Sequence, residues 1–310
     1  MRIFFLIILL LFTVLLSHGC KENNTSEKIF PVADSTLIAQ DSLAQIKDTV
    51  QQNPVISYKF ISPPRQNRYK FLIEEYDTIG AKIILALNRL DERFIRKPDS
   101  IVVPDTILND KLLYSPFPIH LGILESVKKI LLVDQRVQAF AAYEFGNLVY
   151  WGPASTGKKS TPTPNGLFHT NWKSKKTIST DNEEWILKWY FNLENFRGVS
   201  FHQYELPGYP ASHACVRLLE EDAYWIYYCA EQWILTKDGE FVIAYGTPVI
   251  IFGEYNFKGI KPWLLLPTEP EKALVNELEL TEVINKHILT ILSRQNERER
   301  ILNPQLSLQQ

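Results

Sequence analysis

Short β-prone segments separated by turn residues dominate the chain between residues 127 and 253. They lie at residues 129–134, 136–143, 148–151, 166–170, 185–191, 199–202, 241–245 and 248–252. Strands of this length and spacing, with turn signals such as Gly146 before Asn147, are typical of two packed layers of sheet. One helix is predicted over residues 220–235, and its first turn is acidic, which suits the N-terminus of a helix. The sequence therefore predicts a mainly β domain, a β-sandwich with a single helix.

Two histidines and a cysteine lie close together within this β region. The segment SHACVRL occupies residues 212–218 and begins ten residues after His202. A cysteine beside an imidazole is sufficient for acyl transfer, because the imidazole removes the thiol proton and the thiolate attacks a carbonyl. Cys215, His202 and His213 are therefore candidate catalytic residues. The alternative is a buried cysteine with two unrelated histidines.

The same segment resembles the active-site signature of the L,D-transpeptidases, whose catalytic domain is of the YkuD type. That signature is a histidine, a spacer, then Ser or Thr, His, Gly and Cys, followed by a hydrophobic residue and Arg or Asn. The matching positions are His202, Ser212, His213, Cys215, Val216 and Arg217. Ala214 replaces the usual glycine, and the spacer after His202 is a few residues shorter. Alanine does not adopt a positive φ as readily as glycine, so this departure concerns the main-chain donors beside the thiol.

A second motif lies upstream, in the segment STGKKSTPTPNG at residues 155–166. Residues 152–158 fit the spacing G-x-x-x-x-G-K of a phosphate-binding loop, but Lys159 occupies the position of the required Ser or Thr. Pro162 and Pro164 exclude the helix that must follow such a loop. The segment instead resembles the second signature of the L,D-transpeptidases, a stiff loop between strands. We therefore expect no nucleotide.

Histidine spacing gives no support for a metal site. His169, His202 and His213 do not form the short paired spacings typical of zinc ligands with Cys215. We expect no metal and no other cofactor. His169 and His120 are assigned to packing or to the solvent-facing surface.

The resemblance implies a role for each matching residue. Cys215 is the nucleophile and His202 the general base, while His213 lines the site and a share in the base role stays open. Main-chain amides around Ala214 and Cys215 form the oxyanion hole. Arg217 suits a substrate carboxylate, and Ser212 shapes the loop.

The resemblance also implies a substrate. Cys215 takes an acyl group from a peptidoglycan stem tetrapeptide, releases D-alanine, and passes the acyl group to an amine of another stem peptide or of an envelope protein. One alternative is a thiol hydrolase on the same scaffold, a carboxypeptidase or amidase, which the short spacer favours. Two others are a non-catalytic peptidoglycan-binding lipoprotein and a purely structural tether.

The N-terminal sequence predicts export. Arg2 precedes an apolar run at residues 3–16, which at fourteen residues is too short to span a bilayer and is typical of a signal peptide. Small residues before Cys20 resemble a lipoprotein cleavage site, so we expect lipidated Cys20, a membrane anchor and a periplasmic location. A plain secretory signal is the alternative. Residues 21–57 are polar and predict a tether. A net charge of −2 gives no basic footprint for nucleic acid, so we expect no nucleic-acid partner.

The remaining segments are assigned by pattern. Residues 66–106 contain a short helix at 83–90 and a strand at 101–103, and they faintly resemble a LysM glycan-binding module. A packing unit without ligand is the alternative. Residues 270–302 predict a C-terminal helix that packs against the sandwich, with Ile284, Ile288, Ile291 and Leu292 on one face. Cys229 is assigned to the core, and a disulfide between Cys215 and Cys229 would silence the nucleophile.

Overall fold

The computed structural model of the protein describes residues 55–179 and 184–304. The predicted signal peptide, Cys20 and the tether up to residue 54 lie outside these ranges. Within them, no helix combines the length and the hydropathy needed to cross a membrane.

Strands form the framework of the fold. They are β1 (Tyr58–Ile61), β2 (Ile101–Pro104), β3 (Ile130–Asp134), β4 (Ala139–Glu144), β5 (Asn147–Ser155), β6 (Gly166–His169), β7 (Lys173–Ile178), β8 (Ile186–Glu194), β9 (Val199–Gln203), β10 (Val216–Leu218), β11 (Ile234–Leu235), β12 (Val242–Ala244) and β13 (Pro248–Phe252). The helices are α1 (Arg68–Leu87), α2 (Glu220–Cys229), α3 (Pro270–Ala273), α4 (Glu277–Asn285) and α5 (Ile288–Leu302). Short 3₁₀ turns lie at Glu92–Phe94, Lys111–Tyr114, Gly122–Leu124 and Pro262–Leu265.

Nine of the described strands form one mixed sheet, in the order β6-β13-β3-β4-β5-β10-β9-β8-β7. The pairs β13–β3 and β10–β9 are parallel, and the other neighbours are antiparallel. β5 joins the two halves of the sheet, because its residues up to Pro153 pair with β4 while Ala154 and Ser155 pair with β10.

The sheet curls, so its two halves face each other across a shared core. Side chains alternate along a strand, and Leu131 and Val133 of β3 accordingly share a buried cluster with Phe201 of β9. Their neighbours Ile130 and Leu132 pack in a second cluster with helical residues on the outer side. The predicted mainly β sandwich is confirmed, and its two layers belong to one continuous sheet. Burial on both faces explains the unbroken apolar run of β3.

The unit before the sheet contains more helix than the sequence predicts. α1 begins at Arg68, well before the window at residues 83–90. Asp77 kinks the helix, and its side chain accepts a hydrogen bond from Gly80 N at 2.9 Å, which caps the second half. β1 pairs antiparallel with β2, so the strand pairing of this unit begins at Tyr58, upstream of residue 66. Glycan binding by this unit stays a prediction.

The C-terminal segment is three helices rather than the single predicted helix. α3 ends at Ala273 because the chain turns extended there and Val275 N donates to Pro116 O at 2.8 Å. α4 then begins after Asn276, whose side chain caps it. Ile284 and Ile291 are buried in the outer cluster, and Ile288 and Leu292 pack against it, so this face covers the sheet as predicted.

α2 is shorter than the sequence predicts. It ends at Cys229 rather than at residue 235, because residues 234–235 pair with β12 as the short strand β11. Asp222 in its acidic first turn is fully buried, and its Oδ1 accepts a hydrogen bond from Tyr150 OH at 2.8 Å and lies 3.3 Å from Lys111 Nζ. These contacts fix the start of α2 against β5.

Candidate active site

The cysteine and both signature histidines lie at the ends of two parallel strands. β9 and β10 are neighbours, with Phe201 opposite Val216 and His202 opposite Arg217. Phe201 and Val216 pack into the core between the two sheet halves. Because side chains alternate along a strand, Ser200 and His202 lie on the other face of β9, beside the loop that ends at Cys215.

The thiol of Cys215 is partly exposed at the edge of a groove. Its Sγ donates to Gly198 O at 2.9 Å and accepts a hydrogen bond from Ser200 Oγ at 3.2 Å. The groove has a volume of about 490 Å³, and Tyr190, Asn192 and other polar or aromatic side chains line it. Sequence reasoning missed Ser200, although a polar residue two positions before His202 in a strand shares its face and could have indicated it.

His202 is the more deeply buried of the two histidines, at 3% exposure. Its Nδ1 lies 3.0 Å from the Gln203 carbonyl oxygen. A carbonyl only accepts hydrogen bonds, so Nδ1 carries the proton and Nε2 of the neutral ring keeps its lone pair. Burial lowers the pKa of His202; the hydrogen bond to the Gln203 carbonyl opposes this and the charge of Arg217 adds to it, and the pKa lies at about 4. The imidazole is therefore neutral and able to take a proton at neutral pH.

His213 has a different environment. Its ring stacks on Trp185, with ring centroids 5.5 Å apart, and its Nε2 lies 2.5 Å from Lys158 Nζ. An ammonium group only donates, so Nε2 accepts that hydrogen bond and its lone pair is occupied. Sequence reasoning missed Lys158 as a contact of the site, because Lys158 and His213 lie 55 positions apart and no local pattern joins them.

The second signature holds the cysteine loop in place. Thr163 Oγ1 donates to Ala214 O at 2.9 Å and accepts from Gly157 N at 2.8 Å. Ser212 O accepts from Lys158 N at 3.0 Å and from Thr161 Oγ1 at 3.1 Å. A Cβ on Gly157 would lie 2.2 Å from Thr161 O, so the approach requires glycine. This loop connects β5 to β6 without a helix, as its prolines predict.

Ala214 adopts a positive φ of 76°. Glycine, the usual residue at this position of the signature, adopts a positive φ without steric cost, but alanine does not. A positive φ costs an L-residue with a Cβ roughly 1–2 kcal/mol. Thr163 holds the Ala214 carbonyl, and a trans peptide places the next N–H on the opposite side. The amide of Cys215 therefore points away from Thr163, which suits a main-chain donor to an oxyanion.

We expect Ala214→Gly to raise stability. Glycine removes the steric cost of the positive φ but adds conformational entropy to the unfolded chain, so the net gain is about 0.5–1 kcal/mol. For a domain of this size the melting temperature should rise by roughly 2–4 °C per kcal/mol. Ala211→Gly is the matched control in the same loop, where φ is not positive and the change should destabilise. A melting temperature of Ala214→Gly below that of the wild type would contradict the inference that the backbone is strained at Ala214.

Arg217 and Ser212 lie close to Cys215, beside a small cavity. Arg217 Cζ lies 4.5 Å from the centre of the Tyr204 ring, and burial lowers the pKa of its guanidinium. Ser212 Oγ donates to the Cys215 carbonyl at 2.5 Å. Both residues line a small cavity of about 30 Å³ together with His202, His213 and Cys215.

The other predicted residues are not part of this site. Cys20 lies outside the described residues. Cys229 closes α2, and burial raises the pKa of its thiol. It forms no disulfide with another described residue. Among residues 55–179 and 184–304, no group of three or more His, Cys, Asp or Glu is placed to hold a metal ion.

Comparison with known proteins assigns the β region to a family. Residues 128–251 match the family model of the L,D-transpeptidase catalytic domain, YkuD. The chain contains a YkuD domain. This match spans the nine-stranded sheet, the second signature and the cysteine loop. No curated protein matches the chain at a significant level.

Solved structures similar to this chain include three L,D-transpeptidases. The one from Stackebrandtia nassauensis is 22% identical over 41% of this chain and 57% of its own, with a TM-score of 0.33. The one from Mycobacterium smegmatis is 20% identical over 40% and 58%, with a TM-score of 0.32. L,D-transpeptidase 1 of Mycobacterium tuberculosis is 21% identical over 41% and 62%, with a TM-score of 0.31. The chain thus covers about three-fifths of each.

Proposed function

We propose that this YkuD domain is a cysteine acyltransferase acting on peptidoglycan stem peptides. The observation that carries the proposal is the placement of Cys215 on the same small cavity as His202, a neutral imidazole whose Nδ1 is bound to a carbonyl. Both side chains line the same small cavity, and the thiol also borders the larger groove. A nucleophile, a base with a fixed tautomer and a groove for substrate are the parts that acyl transfer needs.

The proposed reaction proceeds through a thioester. His202 Nε2 takes the thiol proton, and Cys215 Sγ attacks the carbonyl carbon before the terminal D-alanine. The Cys215 amide stabilises the oxyanion, and Ser200 Oγ–H stabilises negative charge on sulfur. The protonated His202 then gives its proton to the departing amine, which leaves as D-alanine. An amine of a second stem peptide or of an envelope protein attacks the thioester and restores the thiol.

Arg217 and the groove are proposed to hold the donor peptide. A guanidinium binds a carboxylate through two parallel hydrogen bonds, and stem peptides carry free carboxylates. Arg217 is held on the Tyr204 ring beside the cysteine, so it is available as a fixed cation at that end. Peptidoglycan is also the substrate that the predicted Cys20 anchor, the tether and a periplasmic location would place within reach.

A thiol hydrolase is the second candidate function. The small cavity beside Cys215 has a volume of about 30 Å³, which exceeds the roughly 10–15 Å³ that one water molecule needs. Water attacking the thioester there would release a shortened stem peptide, as in a carboxypeptidase. The same residues perform both reactions, so the acceptor alone separates them.

The test is the product formed by the full mature chain from disaccharide-tetrapeptide, followed by mass spectrometry. Transfer predicts a cross-linked dimer with loss of one D-alanine. Hydrolysis predicts a disaccharide-tripeptide and free D-alanine without dimer. If neither product forms and no acyl adduct appears on Cys215, the proposal of an enzyme is wrong. The alternative of a non-catalytic peptidoglycan-binding lipoprotein is then favoured.

A further inference from the structure

A cavity of about 120 Å³ lies between α5 and the edge of the sheet at β6 and β13, outside the cysteine site. Its charged lining residues are Lys128, Lys129, Arg294 and Arg298, with Glu231 and Glu299. Lys128 and Arg298 pair with these two acids, and Lys129 pairs with Glu144 outside the cavity at 3.4 Å, which leaves the charge of Arg294 in excess among the described residues. A surplus of positive charge in a concave site favours an anionic ligand.

Both carboxylates of the cavity form ion pairs with cations that also line it. Glu299 lies 2.9 Å from Lys128 Nζ, and Glu231 lies 2.9 Å from Arg298 Nε. Within the described residues, Arg294 forms an ion pair with no carboxylate. Its Cζ lies 3.9 Å from the centre of the Tyr245 ring, and its Nη1 donates to His169 Nδ1 at 3.2 Å. The stacking fixes the plane of the guanidinium, and most of its donors remain for a ligand.

His169 supplies a second donor. The side chain is 5% exposed, and burial, followed by the charge of Arg294, lowers its pKa to about 3, so the ring is neutral. Because Arg294 donates to Nδ1, the ring proton is on Nε2. Within the described residues this Nε2 has no hydrogen-bond partner. Leaving a buried donor unsatisfied typically costs about 1–3 kcal/mol, so a ligand that accepts from it gains affinity.

We propose that this cavity binds a small oxyanion, a carboxylate or a phosphate, on the guanidinium of Arg294 with His169 Nε2–H as a further donor. Both ligand groups present oxygen pairs that a guanidinium binds through two parallel hydrogen bonds. The volume admits a group of a few heavy atoms and not a polymer. None of these residues lines the groove or the small cavity beside Cys215, so the proposal stands independently of the proposed function.

The test is calorimetric titration of the full mature chain with inorganic phosphate and, separately, with acetate, at constant ionic strength in chloride. We expect saturable binding of at least one anion. Arg294→Met should weaken it at least about tenfold, because two charge-assisted hydrogen bonds are lost. Arg294→Lys keeps the positive charge but loses the paired N–H donors of the guanidinium. Its affinity for the anion should lie between those of the wild type and Arg294→Met. Arg300→Met is the matched control, since Arg300 is exposed on the same helix and does not line the cavity.

Each outcome decides the proposal. Binding of phosphate alone or of acetate alone supports it and identifies the ligand group. His169→Phe keeps the ring packed on Tyr245 and removes the donor, so weaker binding by this variant also supports it. If Arg294→Met does not fold, Arg294→Lys and His169→Phe carry the test. The proposal is overturned if the wild-type chain binds neither anion, or if Arg300→Met weakens binding as much as the Arg294 variants.

Discussion

Cys215→Ala is expected to abolish release of D-alanine and formation of any cross-linked product. The side chain that forms the thioester is lost, and neither Ser200 nor Ser212 replaces it, because both hydroxyls donate to partners within the site. Loss of a nucleophile costs on the order of 10⁴-fold or more in rate, with residual turnover from the remaining site. Product formation by mass spectrometry, at matched enzyme concentration, measures it.

Cys229→Ala is the matched control for this variant. Cys229 is the other described cysteine, partly buried at the end of α2 and away from the groove lining. Its substitution should leave product formation within about twofold of the wild type, since partly buried thiols of this kind only pack. Equal loss in both variants, or turnover by Cys215→Ala within about tenfold of the wild type, would contradict the assignment of the nucleophile.

Local pattern predicts much of this site from the sequence. The strand at residues 199–202 places its alternate side chains, Ser200 and His202, on one face. The prolines of the second signature correctly exclude a helix. These features depend on backbone preferences of a few neighbouring residues, and such preferences are readable from a single sequence.

Long-range packing accounts for what the sequence does not predict. The bond from Thr163 to Ala214 O joins residues 51 positions apart, and no local preference indicates it. That contact holds the carbonyl of Ala214, whose positive φ the local preference of alanine disfavours. The position of β13 between β6 and β3 also follows from tertiary pairing rather than from chain order. The end of α2 at Cys229 is set by the pairing of β11 with β12.

The hydrogen bonds of the two histidines support a proposed division of roles between them. The signature alone leaves His202 and His213 as possible bases, since both are near Cys215 in sequence. In the structure, the Gln203 carbonyl fixes the proton of His202 on Nδ1, which leaves Nε2 available. Lys158 occupies Nε2 of His213. We therefore infer that His202 acts as the base and that His213, stacked on Trp185, shapes the groove.

His202→Gln should lower kcat/KM by about 10²–10⁴-fold, the usual contribution of a general base. In the wild type the acid limb of kcat/KM reports the pKa of this group in the free enzyme. Only the neutral ring takes a proton, and burial holds its pKa at about 4. Activity should therefore persist as the pH falls below 6.5 and decline only as it passes through about 4. The pH profile of His202→Gln should not show this decline near pH 4.

His213→Gln is the control for that experiment, because it removes an imidazole from the same site. Its Nε2 already accepts a hydrogen bond from Lys158, so the loss of a proton acceptor should be small and the effect should fall mainly on KM. The acid limb near pH 4 should remain in this variant. If His213→Gln lost more kcat/KM than His202→Gln, or removed the limb, the base would be His213, and the bond to Lys158 would have to break in each turnover.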